Sequence, residues 1–156
     1  MHFEGSIVIR RPSRLVWDFL GDISNISAWD RGVARAEAVG LSPPGVGFEF
    51  ETFAYPKGSD TRGEWGKMSY RITQSDPARG CTIELTSRTG NARFVRSGVW
   101  RFRTEEAPEG SRVFSEVHFN LCAKYLFLAP VLFLIGRRAI RKDLESLKRV
   151  LEDARH

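Results

Sequence analysis

Cysteine is scarce in this chain, with only Cys81 and Cys122 among 156 residues. Two cysteines exclude a disulfide-stapled scaffold, and neither stands at metal-ligand spacing from a histidine, so no metal site is expected. Both are expected as free thiols in a reducing cytoplasm. Histidine is nearly as scarce: His2 and His156 lie at the ends, which leaves His118. The chain has no Gly-rich phosphate loop, no Gly-x-Ser-x-Gly and no His-Glu-x-x-His, and no cofactor is expected. Long apolar runs are missing too. The longest, 125–136, has 12 residues, whereas a membrane-spanning helix needs about 20. The first residues lack the charged and apolar regions of a signal peptide, so the expected location is the cytoplasm.

What is present is the composition of a folded protein, 42% hydrophobic and 28% charged. A length of 156 residues suits one domain, 1–156, with a real core. Eleven of the aromatic residues are Phe, which fits a wide apolar interior. The formal charge of +5 comes from 24 Lys and Arg against 19 Asp and Glu. This excess is spread along the chain except at Arg137, Arg138, Arg141 and Lys142. That cluster has two readings: a solvated helix face, or a contact for an anionic ligand or membrane surface. Nucleic acid is not an expected partner, since no groove-like basic patch carries exposed aromatics. The chain is expected to be a monomer or a weak homodimer.

The C-terminal stretch organises the rest. Past Gly136, residues Ile140, Leu144, Leu147, Leu151 and Ala154 recur at alternating spacings of four and three, the stripe of a helix with one buried face. Pro130 places the start of that helix nearby. At the other end, Ser6–Ile9 reads as a strand, followed by a helix with Ser13 as N-cap and a second, short helix, Ile23–Trp29, capped by Asp22. From Gly32 onward the period is two, with turns every eight to twelve residues at Pro43-Pro44-Gly45, Asp76-Pro77, Gly90-Asn91 and Glu106–Gly110. The predicted order is β-α-α-β-β-β-β-β-β-α, an α+β fold with an antiparallel sheet. Such a sheet twists and curls, and one straight helix cannot fill the trough beneath it. The unfilled part is the expected ligand cavity, between sheet and C-terminal helix.

Three stretches carry a family resemblance. They are Ile7–Leu20 (IVIRRPSRLVWDFL), Asp22–Trp29 (DISNISAW) and Leu128–Lys148 (LAPVLFLIGRRAIRKDLESLK), with Pro44-Gly45-Val46-Gly47 ahead of a strand. Together they resemble the START-like superfamily SRPBCC, in its polyketide cyclase/dehydrase branch. The resemblance implies a helix-grip fold, in which a curved antiparallel sheet wraps around the C-terminal helix and encloses a hydrophobic ligand. It does not imply one activity, because the family uses the scaffold for enzymes, lipid carriers and ligand sensors.

Inward-facing positions supply the candidate ligand contacts. These are Trp29; Phe48 and Phe50; Met68, Tyr70 and Ile72; Leu85; Phe94 and Trp100; Val117 and Phe119; and Tyr125, Leu132 and Phe133 near the long helix. Cys81, Ile83 and Phe102 share the same strand faces. Three polar residues are catalytic candidates. Arg96 lies in line with Phe94, Trp100 and Phe102, where it suits a ligand carboxylate or reaches the sheet edge. Glu116 and His118 face water if the apolar side of their strand is inward; in the opposite register they enter the cavity as an acid/base pair. Two functions follow. One is a binding module that carries or senses a lipid or an aromatic, polyketide-like molecule. The other is an aromatase/cyclase-type enzyme acting without a cofactor in the same cavity. The apolar run at 125–136 adds transient membrane contact as a third element.

Overall fold

In a computed structural model, residues 1–77, 79–89 and 93–153 are described. The strands are β1 (His2–Ile9), β2 (Arg35–Val39), β3 (Glu49–Phe53), β4 (Met68–Asp76), β5 (Gly80–Arg88), β6 (Val95–Ala107) and β7 (Gly110–Leu121). They form one antiparallel sheet in the order β1-β7-β6-β5-β4-β3-β2. From β2 to β7 each strand neighbours the next in sequence, as hairpins dictate; β1 alone is recruited from afar and pairs with β7. Between β1 and β2, at opposite edges, the chain forms α1 (Ser13–Gly21), a 3-10 turn (Ile23–Asn25) and α2 (Ile26–Trp29). After a short 3-10 turn at Glu64–Gly66, a later 3-10 segment, Ala123–Leu128, leads into the long helix α3 (Ala129–Asp153). This is the expected α+β helix-grip order. The expected turn at Gly90-Asn91, the strand start at Ala92 and the stripe residue Ala154 lie outside the described residues.

Local chemistry explains most boundaries. The Asp22 carboxylate accepts from the Ser24 backbone N–H at 2.9 Å, satisfying a donor at the start of the 3-10 turn. Ser13 does not cap α1. It is the first helical residue after Pro12, and its hydroxyl hydrogen-bonds Glu106 across the fold instead. On β7, Val113, Ser115 and Val117 are buried while the residues between them are only partly so, the alternation of a half-buried strand. Two strand pairs contain bulges. An extra residue at Val95/Ser97 breaks the alternation on β6, burying Val95 and turning Arg96 out to solvent.

α3 has 25 residues, about 37 Å at 1.5 Å per residue. Its C-terminal half buries Leu144, Leu147 and Leu151, with Ile140 beside them, against Ile9, Val16, Trp29 and Val113. Each such side chain contributes about 1.5–3 kcal/mol when fully buried. The helix does not lie down the middle of the trough. It packs chiefly on β1, at the sheet edge, and touches β7 only lightly. Two glycines allow this. A Cβ on Gly136 would stand 2.7 Å from the Phe3 ring, and one on Gly5 would stand 2.9 Å from Ile140. Among the described residues, no helix is long and apolar enough to cross a membrane.

Gly136→Ala separates packing from propensity. At an open helical site the change stabilises by about 1 kcal/mol. Here Phe3, 3% exposed and held by Phe119 and Phe133, has no room to retreat, and overpacking of this kind costs about 1–3 kcal/mol. The expected result in urea unfolding is a net loss of stability, with a smaller loss when Phe3→Leu is combined with it. A gain in the single variant would mean that the helix does not ride on Phe3.

Candidate functional site

The inner sheet face is crossed by a row of aromatic rings. Phe48 meets Phe50 at 6.3 Å between centroids, Phe50 meets Tyr70 at 5.2 Å, and Tyr70 meets Trp100 edge-on at 5.1 Å. The row continues from Trp100 to Phe119 at 5.1 Å, then to Phe3 at 6.0 Å and Phe133 at 5.7 Å. It runs from β3 through β4, β6, β7 and β1 to α3. Gly98 makes room for it, since a Cβ there would lie 2.6 Å from the Trp100 ring. Rings therefore fill much of the trough, and the long helix covers only its far edge.

What stays open is a cavity of about 80 Å³ at the α2 end. Leu20, Ile26, Val33, Phe50, Ile83, Trp100 and Phe102 form its apolar wall, and Trp29, Asp30, Thr52, Tyr70 and Cys81 complete the lining. A larger depression of about 860 Å³ includes Glu4, Arg101, Arg103 and Glu116 on the outer face, but it is open and charged. The smaller, mostly apolar cavity is the better match to a ligand pocket, which is concave and mostly apolar with few polar groups.

Those polar groups are unusual. The indole Nε1 of Trp29 is buried without a hydrogen-bond partner, a donor whose desolvation costs about 1–3 kcal/mol while unmet. Asp30 follows it. Its carboxylate accepts from the Gly32 N–H at 2.8 Å, yet burial first, and the Asp143 charge second, push its pKa up from 3.8 to about 6. Asp143 on α3 is itself raised by burial, against a backbone hydrogen bond from Arg31. The Tyr70 hydroxyl donates to the Met68 sulfur at 3.0 Å and hydrogen-bonds Thr52. Burial raises its pKa well above the usual phenol range, so it stays a neutral donor. Burial also pushes the Cys81 thiol up to about 11, leaving it unreactive at neutral pH.

Of the ligand contacts expected from sequence, Trp29, Phe50, Tyr70 and Trp100 line the cavity. Phe48, Met68 and Phe119 stand behind them in ring or sulfur contact. Ile72 and Leu85 pair with Ile83 and Tyr70 on neighbouring strands, and Val117 is buried in β7. Phe94 precedes β6 and lies off the lining. Tyr125, Leu132 and Phe133 are also off it, since neither the 3-10 segment Ala123–Leu128 nor α3 contributes a residue to this cavity. It lies between the sheet and the α1–α2 segment, and a separate, open depression between β1 and α3 includes Ile7, Leu134 and Leu144.

The three catalytic candidates are outside as well. Arg96 is exposed, displaced by the β6 bulge. Glu116 and His118 occupy the outer face, where His118 Nε2 and Glu116 Oε1 are 2.7 Å apart. The inward polar residues Asp30 and Thr52 were missed. Thr52 was findable, since it alternates with Phe50 on β3. Asp30, past the end of α2, gives no periodic signal.

The raised Asp30 pKa has a signed consequence. The folded state holds this proton more tightly than the unfolded chain, so the associated stability is present below pH 4 and is lost as pH rises through about 6. Asp30→Asn keeps the acceptor for Gly32 and removes that loss. It is expected to raise stability at pH 7 by up to about 3 kcal/mol, with the advantage vanishing below pH 4 in paired denaturant titrations. A constant difference across pH would contradict a buried, proton-binding Asp30.

The comparisons with known proteins agree with this architecture. A family model described as "Polyketide cyclase / dehydrase and lipid transport" matches residues 1–152. Among solved structures, the chain is similar to the Zhui aromatase/cyclase from Streptomyces sp. R1128, with TM-score 0.75, 15% identity and coverage of 99% of this chain and 98% of that one. Ara h 8.0201 gives TM-score 0.72 at 14% identity, covering 97% of each chain. Protein MLL2253 from Mesorhizobium loti gives TM-score 0.71 at 14% identity, covering 100% of each. Identities this low establish the fold alone. No curated protein matches the sequence.

Proposed function

Because the chain belongs to the polyketide cyclase/dehydrase and lipid transport family of the SRPBCC superfamily, we propose that it binds a small hydrophobic ligand in the α2-end cavity, for carriage or sensing. One observation carries this reading: a mostly apolar cavity whose lining includes the neutral, buried Tyr70 hydroxyl and its partner Thr52. A ligand with a carbonyl or hydroxyl oxygen hydrogen-bonds the Tyr70–Thr52 pair, while its body replaces ring contacts. Pockets for drug-sized molecules measure about 300–1,000 Å³. A lipid or aromatic polyketide therefore requires rotation of Trp100 and its neighbours in the row. The reading places the protein in the cytoplasm, with Cys81 and Cys122 as thiols.

The same row ends at Phe133, in an exposed apolar patch. Leu126, Phe127, Val131, Leu134 and Ile135 are 56–75% exposed there, flanked by exposed Lys124, Arg137, Arg138 and Arg141. An apolar patch rimmed by cations suits transient contact with an anionic bilayer, from which a lipid ligand enters. Phe127→Ser with Leu134→Ser is expected to abolish cosedimentation with phosphatidylglycerol vesicles at low salt and leave the melting temperature unchanged. Absence of vesicle binding by the unaltered protein would remove this element and leave the cavity reading intact.

A second reading is favoured by Asp30. A carboxyl group with a pKa near neutrality beside two hydroxyls suits general acid–base work on a bound polyketone, as in an aromatase/cyclase-type enzyme. Asp30→Asn separates the two: turnover of a poly-β-ketone thioester lost with binding retained supports catalysis, and an unaltered protein without turnover supports carriage.

The cavity itself is tested by native mass spectrometry, with organic extraction of the purified protein and titration with the fluorescent aromatic ketone prodan. A co-purifying lipid or aromatic molecule, or saturable prodan binding, is expected. Tyr70→Phe should weaken prodan roughly 3- to 10-fold, the worth of one hydrogen bond. Empty protein that leaves prodan unbound would overturn the reading.

A further inference from the structure

We propose that His2, Glu116 and His118 form a binding site for a divalent transition-metal ion of the Zn²⁺ class on the outer face of the sheet. The site lies on the side of the sheet opposite the cavity, uses none of its residues and does not depend on the proposed ligand function.

The register of β1 on β7 builds it. His2 and His118 are directly paired across the two strands, and Glu116 is two residues before His118 on the same face. Three potential ligands therefore project from one small area without any loop to position them. Their donor atoms lie within 4.8 Å of one another. Both imidazoles turn Nε2 towards one oxygen, Glu116 Oε1, at 2.7 Å from His118 and 3.3 Å from His2. Two ligands bound to tetrahedral zinc at about 2.0–2.1 Å are themselves about 3.3 Å apart. The His2–Glu116 pair already has that separation, the His118–Glu116 pair opens from 2.7 Å, and the two imidazole nitrogens, within 4.8 Å of each other, close up.

The rings are stacked, with centroids 4.2 Å apart and planes within 7°. To share an ion they must tilt toward one another. Their side chains are 46% and 42% exposed, so this motion disturbs no core. Two neutral imidazoles and one carboxylate make a His₂Glu set, which leaves a fourth position for water and matches the borderline softness of Zn²⁺ rather than Ca²⁺ or Mg²⁺.

Arg101 works against the ion. Its Nη1 stands 3.6 Å from Glu116 Oε1, and its charge repels a cation until the exposed side chain swings away. The site is therefore of moderate affinity, and Arg101 sets its strength. Once bound, the ion clasps β1 to β7 independently of the backbone ladder. β1 is the strand recruited from farthest along the chain and the one on which α3 rests, so the clasp stabilises the folded state by linkage.

The test uses the full chain without an affinity tag. Zn²⁺ is titrated calorimetrically and Co²⁺ by visible absorption. Expected are one ion per chain, the d–d bands of four-coordinate Co²⁺, and a melting temperature that rises by a few degrees with Zn²⁺. His118→Ala and Glu116→Gln should each lower affinity at least tenfold while keeping the metal-free melting temperature, and Arg101→Gln should raise affinity several-fold. Absence of binding by the unaltered protein, or binding undiminished in both His118→Ala and Glu116→Gln, would overturn the proposal. So would thiolate-to-Co²⁺ charge-transfer bands, which would place the ion at a cysteine.

Discussion

The close crossing of α3 over β1, where Gly136 meets the Phe3 ring and Gly5 meets Ile140 and Leu144, positions everything else. A helix carrying side chains at both points would stand further from the sheet. With glycines there, it settles on the inner face of the edge strand and buries Leu144, Leu147 and Leu151 against the first strand and α2. The cost of this choice is borne elsewhere. A helix docked at the edge leaves the middle of the curled sheet uncovered, and its first two turns, held by Phe133 on Phe3, leave Val131, Leu134 and Ile135 exposed.

Both consequences have functional weight. Aromatic rings, not helix, fill the uncovered trough. They give large contact area with few rotatable bonds, and edge-to-face pairs such as Tyr70–Trp100 and Trp100–Phe119 reorganise by rotation more cheaply than a backbone element moves. The first turns of α3 present the exposed apolar surface at which the same row ends, at Phe133. One packing decision at two glycines thus produces an interior that rings fill and an exposed apolar surface at the end of the row.

Residues whose role depends on periodicity were legible in the sequence. The stripe Leu144, Leu147, Leu151 and the inward set Val113, Val117 on β7 follow from spacing alone, as does the order of elements. Four features were not legible, each for a physical reason. The bulge at Val95/Ser97 shifts the alternation, so Arg96 counted as inward and stands in solvent. The crossing point of α3 depends on which glycine meets which side chain, a tertiary fact, so the cavity was expected under α3 and lies under α2. Asp30 is a single polar residue past a four-residue helix, with no repeat to mark its direction. His2 and His118 are far apart in sequence, and only the β1–β7 register makes them neighbours. The terminal position of His2 gave no sign of that.

Two residues of the cavity lining break local rules that others keep. Away from it, carboxylates such as Glu51 and Glu37 meet cations, Lys67 and Arg35. At the α2 end an indole N–H has no acceptor, and a carboxyl group has its ionised form disfavoured by burial and by a second acid. Each feature costs stability, the first as a desolvated donor and the second when the carboxyl group ionises. Such departures persist where another state repays them. Trp29 and Asp30 both belong to the lining of the α2-end cavity, and under the proposed function a bound ligand is the state that repays them.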